Sequence, residues 1–426
     1  VPLSCYLTIY PDPARPGSVL LYSTKKSSLV RVSERLLAAA YADTLSKEER
    51  DILSRLELWV DDLAAERAAM ANLVEFSNHH ATTFTATVVL TLDCNLACPY
   101  CFEEPFRGKH TMSKETARLL VDWIKHEQID QGRDVELRFY GGEPLLAIPR
   151  LKQIAKSLQD MAIAAGRTFT FSLVTNATLL TRTVVEELLP LGLQSALITL
   201  DGPAEFHNQQ RPFVSGRGSF DLILDNLCSV YDLITIKPGG NYTRENYRHF
   251  PAMLDVLIEA GIDPAKLGSV QFSPIHPKSG KQNACAFDSE AWQIEANLFL
   301  REEILRRGFS TDKPGMGICM IELTNNLVVN YDGSLYKCPA LLGWPELSIG
   351  TLAEGVSDYR ESHRLDIWKN EECLDCAYLP LCFGGCRFFR KLQTGSIDGV
   401  DCRKNMLDAS LERLVLQDLK YGKKRC

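Results

Sequence analysis

The chain has 426 residues, 45% of them hydrophobic, and a formal net charge of -7. That length and apolar content supply one large core and at least one smaller one, while the acidic balance leaves no global basic footprint and excludes nucleic acid and anionic membrane surfaces as primary partners. No stretch approaches the roughly 18 apolar residues of a spanning helix, and no basic start followed by a long apolar run opens the chain, so a cytoplasmic protein is expected.

Residues 1–83 read as a small α+β module. Residues 18–23 and 28–32 are two apolar runs around Thr24-Lys25-Lys26-Ser27, the pattern of a hairpin. Ser46-Lys47-Glu48-Glu49 is a capping-box start for a helix carrying Ile52, Leu53 and Leu56, and Leu58-Trp59-Val60 is strand-like.

From residue 84 to 309, strand-like runs alternate with amphipathic helical ones. The strands are predicted at 85–93, 134–141, 168–175, 195–201, 234–238 and 269–274. Leu119, Leu120 and Trp123 begin one helix face, and Phe220, Ile223, Leu224, Leu227 and Val230 mark another. Parallel strands joined by helical crossovers are expected, closing into a partial (β/α)6 TIM-like barrel within the α/β class. Ligands gather at the carboxyl ends of such strands. After about residue 310 the alternation fades and glycine, proline and cysteine rise, so residues 310–402 are expected to be metal-organised loops, followed by a helix over 403–426.

The fourteen cysteines decide the chemistry. Disulfide scaffolds are short and loop-rich, whereas this chain has an enzyme-sized core and gathers its cysteines in two regions, so metal binding is the reading. Cys5, Cys228, Cys285 and Cys426 lie outside those regions and read as free thiols. Just after the first predicted barrel strand, Leu92-Asp93-Cys94-Asn95-Leu96-Ala97-Cys98-Pro99-Tyr100-Cys101 spaces three thiols as C-x3-C-x2-C. Three thiolates on one loop can each hold one iron of a 4Fe-4S cube and leave the fourth iron open, whereas a structural zinc site wants four closed ligands.

With Cys94, Cys98, Cys101 and the aromatic Tyr100, the loop resembles that of the radical S-adenosylmethionine (SAM) enzymes. The resemblance implies that SAM chelates the open iron and that an electron from the cluster cleaves it to a 5'-deoxyadenosyl radical that abstracts hydrogen. Phe139-Tyr140-Gly141-Gly142-Glu143-Pro144 ends the second strand and resembles the family's methionine-amino motif, in which two glycines allow close backbone approach to a ligand and Glu143 accepts from an ammonium. Asn176 and Thr199, at the ends of the third and fourth strands, resemble contacts to the cofactor's ribose and carboxylate. Arg211 is similar to an arginine that pairs with that carboxylate. These resemblances place Tyr100, Gly141, Gly142, Glu143, Pro144, Asn176, Thr199 and Arg211 at the cofactor and name no catalytic acid or base.

Between positions 319 and 402 stand seven cysteines, more than one zinc site can use. Their spacing resembles the SPASM auxiliary domain of peptide-modifying radical enzymes. It implies two further iron-sulfur clusters, one on Cys373, Cys376, Cys382 and Cys402, the other on Cys319, Cys338 and Cys386. The second set is one thiolate short, which leaves an open iron, a non-cysteine ligand, a distant thiol such as Cys285, or a smaller cluster. Relatives that oxidise a sulfatase residue carry an aspartate directly after the G-x4-C cysteine, where this chain has Pro339 after Cys338.

The resemblance therefore implies an oxidoreductase that crosslinks or otherwise modifies a ribosomally made precursor peptide, with a thioether or carbon-carbon bond as the product and flavodoxin or ferredoxin as electron donor. The alternatives are a radical dehydrogenase or maturase acting on a protein or small molecule, and a non-catalytic electron carrier, which would have no use for the GGEP turn or Arg211. Residues 1–83 resemble leader-peptide-recognition modules; the other reading is a cap over the barrel's first strand.

Overall fold

The computed structural model describes residues 3–101, 103, 107–275 and 290–422, so Cys285 and Cys426 lie outside the described residues. The chain forms two compact units, one of Val1–His80, Asp312–Leu323 and Arg364–Cys426, the other of Ala81–Thr311 and Thr324–His363.

The first unit begins with three antiparallel strands, β1 (Leu7–Pro11), β2 (Ser18–Ser23) and β3 (Leu29–Ser33), in the order β1-β2-β3. The hairpin β2-β3 was legible; β1 was not. Helices follow at Glu34–Tyr41, Lys47–Arg55 and Leu63–His79. The second opens on the predicted capping box, with Ser46 and Glu49 each accepting from the other's backbone N–H. Trp59 makes a single antiparallel bridge to Leu3. Met70 and Val74 of the third helix bury against Tyr6, Trp368, Leu379 and Phe383, so the first eighty residues share a core with the cysteine-rich carboxyl-terminal segment. Helices at Arg387–Thr394 and Lys404–Tyr421 complete this unit.

The second unit is built on β4 (Thr83–Thr91), β5 (Asp134–Gly141), β6 (Phe169–Thr175), β7 (Leu193–Thr199), β8 (Thr235–Tyr242) and β9 (Gln271–Pro274), all parallel neighbours. The predicted strands coincide with these within a few residues, because β5 and β6 alternate buried with more exposed positions. Strand β8 runs past its predicted end: Pro238 cannot donate to a ladder and read as a stop, but the strand continues to Tyr242. Helices such as Lys114–Ile124, Ile148–Ala164 and Phe220–Val230 bury one face each in the common core. This is the partial TIM-like barrel.

Two strands were not expected. Residues after 310 were read as loops, yet β10 (Asn326–Val329) pairs in parallel with β4, and β11 (Leu335–Tyr336) pairs antiparallel with β10. The sheet order is β11-β10-β4-β5-β6-β7-β8-β9. Residues 326–329 thus pair along the outer side of β4. Among the described residues no helix is long and apolar enough to cross a membrane.

Candidate cofactor site

The loop that carries Cys94, Cys98 and Cys101 leaves the carboxyl end of β4 and is pinned from three directions. Gly142 N–H donates to Thr91 O (2.8 Å) and Glu143 N–H to Asp93 O (2.8 Å). Ala97 N–H donates to Pro212 O (2.8 Å) and Val214 N–H to Asn95 O (3.0 Å). Arg107 donates to the carbonyls of Cys94 (2.9 Å) and Leu96. All the described cysteines are free thiols. Burial pushes Cys94 up to about 11 and moves Cys98 and Cys101 upward too, and Cys94 and Cys101 each feel Cys98 between them. Metal loading must therefore release protons. No three His, Cys, Asp or Glu side chains close to single-ion distance among the described residues.

The glycines answer to the chain itself. A Cβ on Gly141, whose φ is +132, would stand 2.1 Å from Thr91 O, and one on Gly142 would stand 2.2 Å from Asp93 O. The close approach that requires glycine is thus of β5 to the end of β4 and the first residues of the cysteine loop. Glu143 likewise turns inward. Fully buried, its carboxylate accepts from Leu145 N–H (3.0 Å), Thr175 Oγ1 (2.8 Å) and Asn176 N–H (2.8 Å), tying the end of β5 to the end of β6. Burial raises its pKa despite those donors. Pro144 opens the short 3-10 turn Pro144–Ala147 behind it. Asn176 continues the chain of contacts: its amide donates to Asn95 Oδ1 (2.8 Å) and lies 3.7 Å from Cys94 Sγ, while Thr178 N–H holds its oxygen (3.0 Å).

On the other side of the loop, Tyr100, Asp201, Arg211 and Asn241 form one network. Tyr100 Oη donates to Asp201 Oδ2 and accepts from Arg211 Nη1 (2.7 Å) and Asn241 Nδ2 (3.3 Å); Asn241 N–H donates to Asp201 Oδ1 (2.7 Å). Arg211 lies 3.9 Å from Asp201, whose side chain is wholly buried. Burial would lower the Arg211 pKa, but Tyr100, Cys98 and Asp201 outweigh it and hold the guanidinium charged. Behind it, buried His207 accepts from Asp201 N–H at Nδ1 (3.2 Å) and meets Ser219 Oγ at Nε2 (3.0 Å), and Ser219 donates to Arg211 O (2.6 Å). Burial takes His207 down to about 3, so it is neutral with its proton on Nε2. Thr199, half-buried at the end of β7, is in register with Gly239 of β8.

Whether these residues fit SAM and a cluster can be tested on Arg211. Its Nε–H is buried and has no partner among the described residues, a donor suited to an anionic group beside Cys98. The donor set fits.

Several residues here were given no role by sequence reasoning: Asn95, Arg107, His207 and Asn241, and the pair Glu103 and Tyr140. Glu103 is buried and pushed up to about 7 by that burial, with the Tyr140 hydroxyl near its carboxylate. Tyr140 also lies near Cys101 and Cys338. Tyr140 stands inside the quoted Phe139-to-Pro144 motif and Glu103 lies two residues after Cys101, but nothing in their spacing marks either.

In the other unit, Cys373, Cys376, Cys382 and Cys402 stand close enough for their charges to interact. Cys319 feels Cys386 and Arg387. Cys338 belongs to the barrel unit.

Residues 88–257 match the Radical SAM superfamily. The serine-type anaerobic sulfatase-maturating enzyme of Bacteroides thetaiotaomicron is 24% identical over 339 residues, covering 69% of this chain and 80% of that enzyme. Native anSMEcpe with bound AdoMet and Cp18Cys peptide shares the fold with a TM-score of 0.62 at 18% identity, over 79% of this chain and 97% of that one. Streptococcus suis SuiB bound to precursor peptide SuiA shares it with a TM-score of 0.52 at 15% identity, over 94% of this chain and 98% of that one.

Proposed function

Residues 88–257 form a radical SAM domain in a chain related to maturating enzymes, and on that premise we propose that the protein modifies a ribosomally made precursor peptide, abstracting hydrogen and closing a thioether or carbon-carbon crosslink. The observation that carries this reading is the meeting of three thiols on one pinned loop with a buried guanidinium, at Arg211, one N–H of which has no acceptor among the described residues.

A 4Fe-4S cluster on Cys94, Cys98 and Cys101, with SAM, would supply the 5'-deoxyadenosyl radical. The chain's own residues do the rest. Arg211 offers Nε–H to the cofactor's carboxylate, and Tyr100 and Asp201 hold the guanidinium in place. Gly141, Gly142, Glu143 and Asn176 fix the loop's shape, Pro144 and Thr199 stand at the ends of the neighbouring strands, and neutral His207 supports the network from behind. We assign one auxiliary cluster to Cys373, Cys376, Cys382 and Cys402, and a second to Cys319, Cys338 and Cys386. Such centres need a reducing compartment and an electron donor such as flavodoxin or ferredoxin, which favours the cytoplasm.

Two features support a peptide substrate. The likeness to SuiB extends over 94% of the chain, against 79% for anSMEcpe, and so takes in most of the amino-terminal residues. Those residues carry a three-stranded sheet in which β3 is an edge strand, where an extended leader could add as a further strand. Pro339, which follows Cys338 and opens a 3-10 turn, offers no carboxylate for a sulfatase-type reaction. The test is anaerobic incubation with SAM, dithionite and candidate precursor peptides encoded beside this chain, read by mass spectrometry. Loss of two hydrogens from a peptide supports the proposal; SAM cleavage with every candidate unaltered and a small molecule oxidised instead would replace it.

A further inference from the structure

Glu322 and Arg387 form an ion pair in which each side chain is 1% exposed. The two residues come from the two cysteine-bearing segments of the first unit. Glu322 N–H donates to Cys319 O (3.0 Å), and Arg387 is the residue after Cys386, which stands just before the helix Arg387–Thr394. Arg387 Nη2 donates to Glu322 Oε1 and to Arg364 O (3.2 Å). Its Nε and Nη1 are buried and have no partner among the described residues.

A guanidinium does not lose its proton in a protein, and a buried donor without an acceptor is costly to keep. Two such donors on one side chain, next to two thiols, therefore point to an acceptor that lies between them. Cluster sulfurs are acceptors of that kind, and hydrogen bonds to them make a centre easier to reduce. We propose that Arg387 is a positioning residue for the iron-sulfur centre on Cys319 and Cys386, donating Nε–H and Nη1–H to its sulfurs and raising its reduction potential. The inference rests on the reading that these cysteines hold such a centre. A centre made easier to reduce suits a reaction in which closing a crosslink, after hydrogen abstraction, releases one electron and one proton from the peptide.

The experiment uses the full chain with Cys94, Cys98 and Cys101 replaced by alanine, so that only carboxyl-terminal centres contribute. Iron and sulfide are counted, and a reductive titration is followed by electron paramagnetic resonance. Adding Cys319→Ala and Cys386→Ala must lower the iron count and remove one signal; if the iron count stays the same, no centre is there and the reading falls with the proposal. Arg387→Met combined with Glu322→Gln removes the ion pair without stranding a buried charge. It should keep the iron and move that signal's midpoint to a more negative potential, with Arg387→Lys falling in between. Glu322→Gln alone keeps the donors, removes a negative charge and should move the midpoint the other way. An unmoved midpoint at full iron in the double variant overturns the proposal. Loss of iron in every Arg387 variant, with Glu322→Gln leaving the midpoint in place, would give Arg387 a purely structural role and overturn it too.

Discussion

Glu143 gives its carboxylate to three internal donors, two of them backbone N–H groups on different strand ends. Glutamine keeps one acceptor oxygen and turns an NH2 toward the donors on the other side, so at least one buried N–H loses its partner. Glu143→Gln should cost roughly 1–3 kcal/mol of stability in denaturant unfolding of the iron-free protein, while the iron on the cysteine loop is retained. Unchanged stability would return Glu143 to the role of ligand acceptor. His207 sets a pH dependence. Its folded pKa is about 3, below the ordinary 6.5, so the unfolded chain binds the proton first and stability is lost as pH falls from about 6.5 toward 3. By pH 5 that loss should reach about 2 kcal/mol relative to neutral pH, and His207→Gln should flatten the difference in a series of denaturation midpoints. The GGEP motif was legible as a site in the sequence, but its mechanics were not. The glycines meet Thr91 and Asp93, and those contacts depend on strand register, which spacing does not encode.

Strands β4 to β9 could be read because each is a run of apolar or alternating residues between turn signals. Strand β10 has only four residues, too short for a period, and its partner β4 lies more than two hundred positions earlier in the chain. The helix Leu63–His79 was missed because it is rich in alanine and buries only Glu66, Met70 and Val74. Strand β3 makes the leader hypothesis testable at the level of backbone chemistry. If a leader adds to its edge, N-methylation of the peptide at alternate residues removes one backbone hydrogen bond each time. At about 0.5–1.5 kcal/mol per bond, affinity measured by fluorescence anisotropy should fall several-fold or more at every second position and hold at those between. A flat response along the leader would rule out strand addition.

The linear division expected from the sequence cuts the chain at residues 83, 309 and 402, whereas the compact units interleave: residues 324–363 pack with the barrel, and the amino-terminal residues pack with 364–426. Such grouping is set by contacts between distant positions, of which Met70 and Val74 against Trp368 and Phe383 are examples. A chain beginning near Thr82 should therefore lose iron from the carboxyl-terminal cysteines, because it strips the core that supports them. The intact chain should hold about twelve irons if each of three centres is a cube, and about ten if the incomplete set is a two-iron centre; about four would leave only the loop at Cys94, Cys98 and Cys101 loaded. The central claim, that this loop is where SAM is cleaved, has one direct measurement: 5'-deoxyadenosine formed from SAM and dithionite under anaerobic conditions, by the wild type and by the variant with Cys94, Cys98 and Cys101 replaced by alanine. The wild type should form it and the variant should form none while keeping its carboxyl-terminal iron; 5'-deoxyadenosine from the variant, or none from fully loaded wild type, would contradict the claim.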